Sequence, residues 1–200
     1  MTVFEKQPIL GGMLTLGIPA YRLPRDVLDA EIQRVLDLGI HLKLNLKVDN
    51  VLDAKQAGDF DAVFLAVGAW KGRKLGIPGE EMGLDAIEFL TGANLKGAEK
   101  AGDSVVVIGG GNSAIDAART SLRLGSEEVR IVYRRTRAEM PAWEREVREA
   151  EQVGVRLLFQ LSPTRIVGAS GRVTGIALEQ MRLAEEDGVS REDQDAFALT

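Results

Sequence analysis

The sequence predicts an α/β fold whose second half is half of a doubly wound parallel sheet, and three observations predict it. From Ser104 to Phe159, short apolar runs alternate with amphipathic segments in the order strand, helix, strand, helix, strand. A glycine-rich turn, Gly109-Gly110-Gly111, joins the first of these strands to the first of these helices. Near the amino end, a strand over Thr2 to Glu5 is followed by the turn Gly11-Gly12, a second instance of the same strand-and-glycine theme.

Taken in order, Asp26 to Leu38 carries Val27, Leu28, Ile32, Val35, Leu36 and Leu38 at helical spacing, with Gly39 as the stop. Ile40 to Val48 alternates apolar and polar residues with period two, the pattern of a strand with one wet face. Phe60 to Gly68 is almost continuously apolar and predicts a buried strand, followed by a loop through Ile77-Pro78-Gly79. Thr91 to Asp103 is polar and glycine-rich and predicts a linker, so the domains divide as residues 1–95 and 96–200.

Beyond it the expected elements are a strand over Val105 to Ile108, a helix over Ser113 to Leu124 and a strand over Val129 to Tyr133. A helix from Pro141 to about Val153 follows, with Pro141 in its first turn and Trp143, Val147 and Ala150 on one face. A strand over Val155 to Phe159 completes the βαβαβ unit. Arg165 to Gly168, the turn Ser170-Gly171 and Val173 to Met181 predict a β-hairpin, and Ala196 to Thr200 a last strand. Both chain ends read as cuts.

Composition narrows the function classes. A net charge of -5 and a pI near 5.1 argue against a nucleic-acid surface, which needs clustered Lys and Arg. With no cysteine, the chain carries no disulfide, no thiolate metal site, no iron-sulfur ligand and no redox-active dithiol. No apolar run has the length of a membrane span, and MTVFEKQP lacks the pattern of a signal peptide, so a cytoplasmic location is expected.

The chemistry concentrates on the central glycine turn. Gly109, Gly111 and Ala114 fit G-x-G-x-x-G/A: a tight turn, a residue small enough to admit a pyrophosphate to the backbone, and a small residue for helix-on-strand packing. The pyrophosphate would sit on the helix N-terminus, where free N–H groups and the positive end of the dipole converge. Asn112 and Ser113 are expected as helix caps, with a hydroxyl able to serve a phosphate as well. The next strand ends Val132-Tyr133-Arg134-Arg135, where a site for NAD or FAD usually carries an acid for the ribose hydroxyls. Two guanidiniums suit a 2'-phosphate, so NADP(H) is the expected ligand; the alternative is a solvated basic loop of Arg134, Arg135 and Arg137. Thr2-Val3-Phe4-Glu5 ends in the acid that the second strand lacks, as the second strand of an FAD-binding unit would, although Glu5 alone also reads as a surface acid.

The chain resembles the glutamate synthase small (beta) subunit family, which is related to the flavin and NADPH portion of dihydropyrimidine dehydrogenase. The resemblance spans nearly all 200 residues. It rests on Val3-Phe4-Glu5-Lys6, Gly11-Gly12-Met13-Leu14, Gly17-Ile18-Pro19-Ala20-Tyr21-Arg22-Leu23-Pro24 and Phe60 to Ala69. It continues in Ile77-Pro78-Gly79-Glu80, Gly109 to Asn112, and Tyr133-Arg134-Arg135 through Glu139-Met140-Pro141-Ala142. It implies a Rossmann-like NADPH-binding domain, residues 96–200, inserted in a partial FAD-binding domain, residues 1–95, of the FAD/NAD(P)-binding superfamily. Hydride would pass from NADPH to FAD, and electrons would leave through iron-sulfur clusters outside this chain. They would reach the large subunit of glutamate synthase or another electron-accepting subunit.

By position, the resemblance makes Glu5 an acceptor from the FAD ribose and Met13, Arg22 and Val48 further FAD contacts. Gly12 and Gly68 would let backbone approach the same cofactor. Gly110, Gly111, Asn112 and Ser113 would line the NADPH phosphates, with Arg134 and Arg135 on the 2'-phosphate and Arg137 a weaker candidate. Read without the family, Met13 and Val48 are equally core residues and Arg22 a surface charge. The first FAD glycine loop and the returning FAD segment are absent from the sequence, so weak or no flavin retention and no complete turnover are expected of this chain alone. The alternatives are a non-catalytic dinucleotide-binding module, or the electron-input unit of a ferredoxin:NADP or pyrimidine-reducing enzyme. No acid–base group stands out as catalytic, and His41 falls on the polar side of its strand.

Overall fold

The computed structural model describes residues 1–96, 99–184, 188–190 and 197–199, and the chain divides into two compact units, Met1–Trp70 and Lys71–Thr200. In the first unit, β1 (Thr2–Phe4) pairs in parallel with β2 (His41–Lys43), Val3 opposite Leu42. Glu5 N–H donates to Lys43 O at 2.9 Å and Leu46 N–H to Glu5 O at 3.0 Å, which carries the pairing past the strand ends. Gly11, at φ +95°, turns the chain into α1 (Gly12–Leu16); a methyl there would lie 2.0 Å from Thr15 Oγ1. Leu16 and Leu28 are buried, the latter on α2 (Arg25–Leu36). A helix absent from the sequence expectation, α3 (Val51–Ala57), starts at Asn50, whose Oδ1 accepts from Leu52 N–H at 3.0 Å and Asp53 N–H at 3.4 Å.

Two expected strands of this unit differ. The run Ile40–Val48 is a strand only over His41–Lys43, because Asn45 takes the left-handed conformation (φ +55°) and ends the extended geometry. The apolar run Phe60–Gly68 is neither a strand nor buried: Phe64 is 91% and Val67 74% exposed. A strand exists through its neighbours' hydrogen bonds, and among the described residues β1 and β2 pair with each other and leave this run without a partner.

The second unit opens on a 3-10 turn (Glu80–Met82) and α4 (Ala86–Lys96), whose first turn is capped by Asp85 Oδ1 accepting from Ile87 N–H at 2.8 Å and Glu88 N–H at 3.1 Å. The expected linker therefore begins inside a helix that packs on the next one; Gly97 and Ala98 lie outside the described residues. The apolar face of α4, with Leu90 buried, outweighs the glycine of its composition.

β3 (Ser104–Ile108), α5 (Asn112–Arg123), β4 (Glu128–Tyr133), α6 (Glu144–Gln152) and β5 (Arg156–Phe159) follow, and the three strands form one parallel sheet in the order β3-β4-β5. Ile115 and Ala118 of α5 and Val147 and Ala150 of α6 close over Val129 and Ile131. Val132 packs with Ile176 and Leu178, so β4 is covered on both faces, as a central parallel strand requires. The hairpin is as expected but longer: β6 (Leu161–Ala169) and β7 (Arg172–Gln180) are antiparallel, joined by Ser170 (φ +52°) and Gly171 (φ +76°). β8 (Arg182–Ala184) pairs with β9 (Gly188–Ser190), and β10 (Phe197–Leu199) adds to β7; residues 196 and 200 of the expected last strand lie outside the described residues.

α6 starts later than Pro141. Ala142 N–H donates to Gly110 O at 3.1 Å and Trp143 N–H to Asn112 Oδ1 at 3.1 Å, which holds both residues ahead of the helix. Val147 and Ala150 keep their buried places, whereas Trp143 is 69% exposed.

Candidate dinucleotide-binding site

The glycine turn lies at the carboxyl end of β3, beside the carboxyl end of β4. Gly109 N–H continues the ladder to Val132 O at 3.0 Å, and its φ of +137° is one that L side chains rarely adopt. Gly110 is needed for a different reason. A methyl on it would come within 2.5 Å of Tyr133 Cε2, and Tyr133 is anchored through its hydroxyl, which donates to Glu139 O at 2.8 Å. Gly111 faces open space, with no protein atom within 4 Å of a methyl placed there. Ala114 is buried and lies under Gly109, 3.5 Å from a methyl built on it, the close packing that the third position of the pattern demands.

The helix start differs from expectation in its capping. Gly111, not Asn112 or Ser113, is the N-cap residue, and no side chain caps α5. The first helical bonds are Ala114 N–H to Gly111 O at 3.0 Å and Ile115 N–H to Gly111 O at 3.2 Å, so the N–H groups of Asn112 and Ser113 precede them and point out of the helix end. Asn112 instead uses Oδ1 to accept from Trp143 N–H, and Ser113 is exposed. An uncapped start of a 12-residue helix beside an open glycine surface has donors in place for an anion.

At the end of β4 the three arginines separate by their partners. Arg137 is committed: Nη1 and Nη2 donate to Glu151 at 2.7 and 2.8 Å, and Nη2 to Glu144 at 3.3 Å. Glu151 first, then Glu144, pushes its pKa up. Arg134 is exposed and makes no ion pair among the described residues. Arg135 is only loosely held, its Nε 3.9 Å from Glu139 Oε1, and that buried Nε has no hydrogen-bond partner. Glu139 is itself fixed in a capping box, with Thr136 N–H and Oγ1 both donating to its Oε2 at 3.1 Å. Two guanidiniums side by side, neither held by a strong ion pair, can donate to a phosphate monoester through their exposed N–H groups.

The flavin candidates are all in the first unit. Glu5 stands at the carboxyl ends of β1 and β2, its Oε1 accepting from Gln7 N–H at 2.7 Å. Val48 lines an open cavity of about 360 Å³ with Phe4, Lys43, Leu46, Asn50 and Phe60. Gly12 starts α1 at φ +51°, Met13 lies over Gly17, and Arg22 N–H closes a turn on Pro19 O at 3.0 Å. Gly68 is left-handed (φ +67°), next to Trp70, whose Nε1 donates to Val67 O at 2.7 Å. His41 is exposed, as its pattern predicts.

Sequence reasoning missed the part of Tyr133 and of the segment 140–143. The ring against Gly110 and the two N–H bonds from Ala142 and Trp143 tie the loop after β4 back to the glycine turn. Its local signal was faint, since the Asn112–Trp143 bond joins residues 31 apart. Among the described residues there is no cluster of His, Cys, Asp and Glu able to hold a metal ion, and no helix is long and apolar enough to cross a membrane.

The pyridine nucleotide-disulphide oxidoreductase family matches residues 14–190. The chain is 43% identical over 198 residues to the NADP(+)-dependent formate dehydrogenase subunit beta of Moorella thermoacetica, a match covering 96% of this chain and 28% of that protein. It is 35% identical over 205 residues to the glutamate synthase [NADPH] small chain of Escherichia coli K12, covering 94% of this chain and 43% of that one. The chain thus spans less than half the length of either relative. A mutant of FprA from Mycobacterium tuberculosis shares the fold with a TM-score of 0.83 at 20% identity, over 99% of this chain and 61% of that one.

Proposed function

The chain belongs to the pyridine nucleotide-disulphide oxidoreductase family, and from that premise we propose that it is the nucleotide-binding part of an NADPH-dependent flavin oxidoreductase. When bound, NADPH supplies a hydride and FAD accepts it; the protein's task is to hold the two in orientation and keep water out. Gly109, Gly110 and Gly111 admit the pyrophosphate, Asn112 and Ser113 offer N–H donors at the start of α5, and Ala114 seats the helix. Arg134 and Arg135 clamp the 2'-phosphate. In the first unit, Glu5 accepts from the flavin nucleotide's ribose, and Gly12, Met13, Arg22, Val48 and Gly68 lie along the same cofactor. Residues 1–95 are read as flavin domain and 96–200 as NADPH domain.

The electron acceptor would be a partner subunit, such as the large subunit of a glutamate synthase, with iron-sulfur groups held outside this chain. Relatives at 43% and 35% identity bear the names of different assemblies and share NADP in those names, which supports the nucleotide more strongly than any one acceptor. A cytoplasmic location suits such a subunit.

The observation that carries this reading is the pair Arg134 and Arg135, without strong partners at the end of β4, next to an Arg137 that two glutamates occupy. Calorimetric titration tests it. NADPH binds more tightly than NADH, and Arg134→Ala with Arg135→Ala brings NADPH down to the NADH level, a loss of about ten-fold or more for a charge-assisted pair. Equal affinity of the parent protein for the two nucleotides sinks the assignment.

A further inference from the structure

We infer that Trp143 is a nucleotide-binding residue, its indole forming the platform on which the adenine of the bound NADPH stacks; the inference rests on the proposed nucleotide site. An exposed tryptophan by itself says little, since single apolar residues are common on surfaces. What distinguishes Trp143 is its tether. Its N–H donates to Asn112 Oδ1 at 3.1 Å, in the first turn of α5, and the preceding Ala142 N–H donates to Gly110 O at 3.1 Å.

The segment from Arg134 to Trp143 therefore leaves the end of β4 and returns to the glycine turn, closed midway by Tyr133 Oη on Glu139 O at 2.8 Å. Arg134 and Arg135 stand at one end of this segment and Trp143 at the other. The ribose that carries the 2'-phosphate also carries the adenine, so a nucleotide held by the guanidiniums and the glycine turn places its base along this segment. A purine leaving water needs a flat apolar face, and Trp143 is the one aromatic side chain between residues 134 and 143. Its 69% exposure leaves that face uncovered. Arg137, the other planar group free of the phosphate in this reading, is already fixed by Glu151 and Glu144.

The test uses two ligands and two variants. NADPH and adenosine 2',5'-bisphosphate, which has the adenine and the 2'-phosphate without the nicotinamide, are titrated against the parent protein, Trp143→Ala and Trp143→Phe. The alanine variant loses affinity for both ligands by the same factor, about ten-fold for a stacked base, and phenylalanine restores most of it. In a Trp70→Phe background, adenosine 2',5'-bisphosphate also quenches the remaining indole emission. Undiminished binding by Trp143→Ala, or a loss confined to NADPH, overturns the adenine platform while the nucleotide site stands. Failure of the parent protein to bind either ligand overturns the site and the platform together. A folded circular-dichroism spectrum and an unchanged melting temperature for Trp143→Ala keep a folding defect out of the comparison.

Discussion

At the scale of single residues, Gly110 and Gly111 separate the needs of the fold from the needs of the ligand. Gly110→Ala drives a methyl into a tyrosine ring that cannot swing away while its hydroxyl is bonded to Glu139 O, so overpacking costs stability on the order of 1–3 kcal/mol. Gly111→Ala meets no protein atom within 4 Å and keeps an ordinary φ of -89°, so its stability stays close to the parent's. Its methyl instead occupies the surface that a pyrophosphate would approach. Urea unfolding and NADPH titration on both variants should therefore dissociate: Gly110→Ala is destabilised, while Gly111→Ala folds normally and binds at least about ten-fold more weakly. A Gly111→Ala protein that binds like the parent would remove the phosphate from this loop. The glycine turn and the end of β4 were legible because each is a local consequence of strand, turn and helix geometry. Asn112 was not: its local pattern suggests a cap, and its actual bond depends on where Trp143 returns in space.

At the scale of elements, legibility followed how far each element carries its own partners. β3, β4 and β5 pair with one another and are recognised from sequence nearly to their ends, whereas the equally apolar Phe60–Gly68 run pairs with no strand among the described residues and is exposed there. Composition hid α4, where an apolar stripe and the Asp85 cap overrule a glycine. α6 shows the electrostatic side of the same point. Glu151, bonded to Arg137, Glu144, bonded to Arg148 and then Arg137, and Glu149, bonded to Arg145 and then Arg119, all have pKa values lowered below the ordinary carboxylate range. A carboxylate with a lowered folded-state pKa stabilises above its unfolded value, and the gain disappears as pH falls through the folded one. Melting temperature should hold between pH 6 and 7 and drop below about pH 4. Arg137→Ala should lie below the parent at neutral pH and converge on it in acid. A constant gap between the two down to about pH 3 would show that the Arg137 pairs do not stabilise the helix.

At the scale of the whole molecule, the two compact units differ in the core each possesses. Met1–Trp70 buries Leu16 and Leu28 and leaves Phe64 and Val67 in water, while Lys71–Thr200 has a parallel sheet covered by α5 and α6 on one face and by the hairpin on the other. Stability grows with apolar area removed from water, so the first unit should be the weaker one and should unfold first. The chain supplies a reporter for each half, Trp70 in the first unit and Trp143 in the second. With the other tryptophan changed to Phe, urea titration should show the Trp70 transition at a lower midpoint than the Trp143 transition. Amides of residues 60–68 should exchange with solvent without protection, while those of Val106, Val107, Ile131 and Val132 open only with the second transition. Saturating NADPH acts on the unit that binds it, raising the second transition by about 2.7 kcal/mol at a hundred times Kd and leaving the first where it was. Coincident transitions that both move with NADPH would overturn this ranking of the two units.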